Sequence, residues 1–154
     1  MAVDNTIIIP EIISLLNEGH TVTLKLRGYS MRPFLEDGRD KALLKRAGKV
    51  AVGDVVLAEI APKRYALHRI KNIENDKITL QGDGNLNTES CRPCDIYGTA
   101  VCFYRKGSDK PDYTTGAKWK AYSYVWTRLL PVRRYLLFLY RGYMKCRRIF
   151  QKRK

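Results

Sequence analysis

Beyond Asp112 the sequence contains no aspartate or glutamate. Residues 113–154 carry 12 lysines and arginines, whereas residues 1–112 carry 17 against all 15 acids, so the formal charge of +14 resides almost entirely in the C-terminal segment. This is a nearly neutral body carrying a basic attachment device, not a uniformly basic chain. Histidine is scarce: His20 and His68 are the whole supply, which limits the side chains that titrate near neutral pH. No apolar run approaches the ~20 residues that cross a bilayer. The N-terminus places Asp4 and Glu11 around Ile7-Ile8-Ile9 and lacks the basic stretch and long apolar core of a secretory signal, so export by that route is not expected. A cytoplasmic protein with reduced thiols at Cys91, Cys94, Cys102 and Cys146 is expected instead. Cys91-Arg92-Pro93-Cys94 has the spacing of a redox pair or half a zinc site, but no second Cys/His pair stands near it. Ordinary thiols, no metal and no cofactor are therefore expected.

The 154 residues, 45% hydrophobic and 29% charged, suit one compact domain with an appendage. Residues 10–18 read as a short amphipathic helix, with Pro10 at its first position and Gly19 ending it. From His20 to Arg27, Val22, Leu24 and Leu26 alternate with polar residues, the pattern of a half-buried strand. Further strands are expected over Lys41–Arg46, Val55–Ile60, Tyr65–Ile73, Lys77–Gln81 and Cys94–Tyr104, with Glu74-Asn75-Asp76 as a hairpin connection. The fold class this implies is a mainly β, antiparallel, curled or barrel-like domain. Residues 1–107 form that domain, 108–116 read as a linker, and 117–154 as a basic amphipathic tail of two helices separated at Pro131.

The stretch Gly28-Tyr29-Ser30-Met31-Arg32-Pro33 follows directly from the first strand. Gly28 permits unusual φ values, and Pro33 fixes its own φ and biases Arg32 away from the helical region. Ser30 alone would be an ordinary turn residue. A serine hydroxyl becomes a nucleophile only with a base and a stabilised oxyanion. His68 shares a strand face with Ala66 and Ile70, which suits either a hydrogen-bonded core histidine or a base. The loop after the next strand, Gln81-Gly82-Asp83-Gly84-Asn85, supplies Asp83, and Glu89 follows; either carboxylate could orient a histidine or simply cap its own turn.

Taken in order, Gly28-Tyr29-Ser30-Met31-Arg32-Pro33, Val52-Gly53-Asp54-Val55-Val56, His68-Arg69-Ile70 and Gly82-Asp83-Gly84-Asn85 resemble the boxes of the signal peptidase I and LexA-like serine peptidase superfamily, in its histidine-base branch. The resemblance covers roughly residues 20–104. It implies a serine endopeptidase with Ser30 as nucleophile, His68 as general base, and Asp83 ahead of Glu89 as the orienting acid. Ser30, Met31 and Gly28 would form the oxyanion and substrate-binding set. Gly28 stands where the family often has a hydroxyl, so oxyanion stabilisation is expected to fall mainly on the Ser30 N–H. Neither a membrane-spanning anchor nor a DNA-reading helix-turn-helix is read before these boxes. The alternative is a catalytically weak or inactive peptide-binding module of the same fold.

The tail allows three readings: an anionic membrane surface, with the chain peripheral to the inner face of the membrane; helices packed on the β domain; or nucleic acid. No recognised nucleic-acid module accompanies the basic residues, so specific nucleic-acid binding is not expected. The partner implied by the boxes is a peptide or protein substrate.

Overall fold

The computed structural model describes residues 5–151, with side chains from Ile8 to Leu129 and from Val132 to Cys146. Eight strands form one antiparallel sheet: β1 (Val22–Lys25), β2 (Lys41–Arg46), β3 (Val55–Ala61), β4 (Arg64–Glu74), β5 (Lys77–Gln81), β6 (Glu89–Cys91), β7 (Ile96–Tyr104) and β8 (Pro111–Tyr113). Their order is β1-β2-β7-β3-β4-β5-β6, with β8 added to β7. The sheet is open, with β1 and β6 at its ends. Three helices accompany it: α1 (Asn5–Asn17), α2 (Ala117–Arg128) and α3 (Leu130–Gln151).

Alternation explains the strands. In β2, Ala42 and Leu44 are buried while Lys41 and Lys45 are exposed. Val55 to Ala58 in β3 are buried on both faces. Val55 and Leu57 join the core that holds α1 and the Ser30 turn, whereas Val56 and Ala58 pack with Ile70, Ile78 and Leu80. This double burial is why that stretch reads as a continuous apolar run.

Helix α1 starts at Asn5 rather than Pro10, so Pro10 lies inside it. Its ring costs one backbone hydrogen bond, and burial of Ile9, Ile12 and Leu16 offsets that loss. The helix docks closely because β7 has a glycine beneath it: a Cβ at Gly98 would lie 2.9 Å from Leu16 Cδ1.

The expected linker is partly a strand. β8 pairs with β7 through Cys102↔Tyr113, Phe103↔Asp112 and Tyr104↔Pro111, and so delivers α2 to the body. The Trp119 ring then lies 4.8 Å from Phe34 and 4.7 Å from Phe103 between ring centroids, inside the main core. Pro131 is the second residue of α3, a position where a missing N–H costs little.

Truncation of this core aromatic should therefore be expensive. Trp119→Ala is expected to lower unfolding stability by about 3–5 kcal/mol, read by urea denaturation, while Phe138→Ala, at a side chain 76% exposed, stays within about 0.5 kcal/mol. Equal effects would place α2 outside the folded unit.

Candidate active site

The turn after β1 is held by its own backbone and by apolar anchors. Gly28 adopts φ +84°, and its N–H donates to Asp37 Oδ1 at 2.8 Å. The Arg32 N–H donates to the Tyr29 carbonyl at 3.2 Å and the Leu35 N–H to the Met31 carbonyl at 3.1 Å. Met31, Phe34 and Leu35 are buried, which leaves Ser30 half-buried at the edge. The left-handed conformation at position 28 explains the absent hydroxyl: no atom lies near enough to exclude a side chain, but a serine or threonine would be strained there. Because the Gly28 N–H is committed to Asp37, and the Ser30 N–H donates to no group among the described residues, the latter is the donor left for an oxyanion.

The Gly82-Asp83-Gly84 loop packs backbone against backbone on this turn. A Cβ at Gly82 would lie 2.4 Å from the Ser30 carbonyl oxygen and 3.0 Å from Ser30 Cβ; one at Gly84 would lie 2.5 Å from the Tyr29 carbonyl oxygen. The Gly84 N–H donates to the Ser30 carbonyl at 2.7 Å. Both glycines are thus required by approach, not by turn geometry. Continuing the Arg69↔Gln81 register of β4 and β5 sets Gly82 across from His68. Ser30 occupies the space a side chain at Gly82 would fill, beside the histidine.

His68 is buried, and its Nδ1 lies 2.6 Å from Glu89 Oε2. The contact is one of ion-pair distance: neither atom makes a hydrogen bond of normal geometry among the described residues. Glu89 reaches it diagonally across the sheet, since Ile70 pairs with Leu80 and Leu80 with Glu89. Burial pushes the His68 imidazole below its ordinary value of 6.5, against the opposing pull of Glu89. The ring is therefore neutral at neutral pH and able to accept a proton. Ser30, Met31, Gly28, His68 and Glu89 all line one cavity of about 430 Å³ between the Leu24–Ser30 stretch and the β3–β4 hairpin. No hydrogen bond joins Ser30 Oγ to His68 among the described residues.

Asp83 stands elsewhere, and the expected order of the two acids is reversed. Its carboxylate takes a two-pronged ion pair from Arg69, Nε to Oδ1 at 2.9 Å and Nη2 to Oδ2 at 2.8 Å. Tyr122 Oη donates to Oδ2 at 2.9 Å, and Trp126 Nε1 donates to the Asp83 carbonyl at 3.0 Å. Gly82 lies against Ser30, whereas its neighbour Asp83, in the turn after β5, reaches Arg69, which alternates with His68 along β4. Tyr122, Trp126 and Arg133 stand in none of the boxes, and Arg69 stands in one, beside His68, with no role assigned to it. Arg133 donates from Nη1 to Gln81 Oε1 at 3.0 Å, and Gln81 Nε2 in turn holds the Leu86 carbonyl at 3.0 Å. The one available signal was an arginine inside an apolar strand, which demands a buried acid.

Cys91 is buried and Cys94 exposed, both unpaired. Burial pushes the Cys91 thiol up to about 11, which makes it a poor nucleophile. Among the described residues no group of His, Cys, Asp or Glu could hold a metal ion.

A family model described as Peptidase S24-like matches residues 2–101, more than half of the chain. No curated protein matches the sequence.

Breaking the buried pair should unseat the loop. Asp83→Ala leaves Arg69 uncompensated and is expected to cost about 3–5 kcal/mol in chemical denaturation. Glu89→Gln, at a half-buried position, should cost less than about 1.5 kcal/mol. The reverse ranking would contradict the division of labour between the two acids.

Proposed function

The chain belongs to the Peptidase S24-like family and carries a peptidase-fold domain, and from that premise we propose that it is a serine endopeptidase using Ser30, His68 and Glu89. The observation that carries this reading is the convergence of Ser30 and a buried, carboxylate-held histidine on one cavity. With Nδ1 against Glu89, Nε2 is the nitrogen free to take the Ser30 proton as Oγ attacks a peptide carbonyl. The oxyanion of the tetrahedral intermediate faces the Ser30 N–H. His68 then protonates the leaving amine, and water, deprotonated by the same histidine, hydrolyses the acyl-serine. Glu89 holds the tautomer and stabilises the transient imidazolium. Among the described residues β1 pairs with β2 alone, so its outer edge can accept the substrate as an added strand leading to Ser30.

A binding-only module is the second reading, favoured by the missing Ser30–His68 hydrogen bond. Such bonds are often long before substrate binds, so kinetics separate the two. Peptide-library cleavage read by mass spectrometry should fall by at least about 1,000-fold in Ser30→Ala. Wild-type protein that cleaves nothing while binding peptides would favour the module. The acid limb of kcat/KM should lie below 6.5, because activity requires neutral His68 and is lost as pH falls through its lowered value. In Glu89→Gln that limb should move lower still, as the carboxylate's pull is removed, with kcat down by on the order of 10³-fold. A limb above 6.5 would exclude His68 as the base.

The basic segment is read as an attachment to an anionic bilayer. α2 packs inward through Trp119 and Trp126, and α3 through Arg133 and Leu137. The side of α3 turned away carries Tyr135, Phe138 and Leu139 exposed, flanked by exposed Arg134, Arg141 and Lys145. No helix among the described residues is long and apolar enough to cross a membrane, so α3 would lie in the interface. Flotation with phosphatidylglycerol vesicles should be lost in Phe138→Ser/Leu139→Ser and weakened by 0.5 M salt. Equal flotation of wild type and variant would refute the attachment.

A further inference from the structure

We infer that the cavity selects acidic peptides: chains with an apolar residue at the scissile bond and glutamate or aspartate within a few residues of it. The inference rests on the peptidase reading and names its substrate class. The cavity's lining includes the apolar side chains of Leu24, Met31, Leu57 and Leu67, while its charged lining is Lys25, Arg27, Lys63 and Arg64 against Glu36 and Glu89. Both acids are already engaged. Glu36 pairs with Arg32 and accepts from Tyr140 Oη, and Glu89 lies against His68. Lys25, Arg27 and Lys63 form no ion pair among the described residues, and Arg64 makes only a 3.6 Å contact with the far oxygen of Glu89. Four exposed cations thus line a cavity whose two acids already have partners, on a body whose overall charge is nearly balanced.

The conformation of Lys63 is a second, independent observation. It occupies the left-handed region at φ +60°, in the two-residue Pro62-Lys63 turn between β3 and β4. Glycine or asparagine is favoured there, yet this chain has a lysine, with its N–H held by Glu59 Oε1 at 2.7 Å. The turn therefore adds a cation to a cavity lining that also includes Lys25 of β1 and Arg27 just beyond that strand. A peptide lying along β1 advances about 3.3 Å per residue, so side chains two to four residues from the scissile bond come within reach of these groups. Charges at an exposed rim act mainly through selectivity and association, and they weaken with salt.

The test uses three peptides with one apolar core and glutamate, glutamine or lysine flanks. Cleavage by the full chain and binding to its Ser30→Ala form, by fluorescence anisotropy, are measured at 50 and 500 mM salt. The expected order is Glu, Gln, Lys, with at least about a tenfold span in kcat/KM at low salt that contracts at high salt. Lys25→Glu/Arg27→Glu/Lys63→Glu should invert the order. Lys63→Gly, which relieves the backbone, should shrink the span without loss of thermal stability. Cleavage or binding with no charge ranking overturns this inference alone. Neither cleavage nor binding of any of the three overturns the peptidase reading with it.

Discussion

The candidate site depends on one buried ion pair. Arg69 and Asp83 are both almost wholly removed from water, where an unpaired charge costs several kcal/mol. They are tolerable because the pairing is two-pronged and the remaining polar atoms are used. Arg69 Nη1 also donates to the Gly53 carbonyl at 3.0 Å and to Ser123 Oγ at 2.8 Å, and Asp83 accepts from Tyr122. The guanidinium lies 4.7 Å from the Trp119 ring centroid as well. Four separate parts of the chain, the β3 entry, β4, the loop after β5 and α2, are tied at this point. The C-terminal segment is thus part of what holds the loop rather than an appendage beside it.

The pair governs chemistry it does not touch. In β4 neighbouring residues face opposite sides, and in the loop after β5 Gly82 lies against Ser30 while Asp83 reaches Arg69 and Tyr122, so each two-residue motif divides between the proposed site and its support. His68 and the gap at Gly82 face Ser30, while Arg69 and Asp83 face α2. Fixing the structural members fixes the reactive ones, because they share a backbone. Ser30 is then located by contact with a glycine that cannot give way, and by the Gly84 N–H on its carbonyl. Neither the Ser30 turn nor His68 needs a direct link to the other to be held in register.

This parity also explains what could be read from the sequence and what could not. The strands over 41–46, 55–60, 65–73 and 77–81 were legible because alternating or doubly buried residues mark them directly. Ser30, His68 and the glycine loop were legible as ordered boxes. The partner of His68 was not, since the choice between Asp83 and Glu89 turns on which face each residue meets, and cross-strand register is invisible in one chain. β6 and β8 escaped because three-residue strands hold no full period of alternation; they exist through pairing with β5 and β7. The tail was legible as amphipathic helices, but not that Phe34 and Phe103 would receive Trp119.

The same constraint reaches the oxyanion. A left-handed residue at position 28 lets the chain turn from β1 into Ser30, and its N–H anchors that turn to Asp37, so neither a hydroxyl nor this amide can serve the reacting carbonyl. A single oxyanion donor is worth about 2.7–4 kcal/mol of barrier when its position is fixed before reaction. Under the proposed mechanism the Ser30 N–H meets that condition, because Gly84 lies against the Tyr29 carbonyl of the peptide that carries it and Gly82 against the Ser30 carbonyl that follows. Under that mechanism, the rigidity that removes one half of an oxyanion hole is also what holds the remaining half in place.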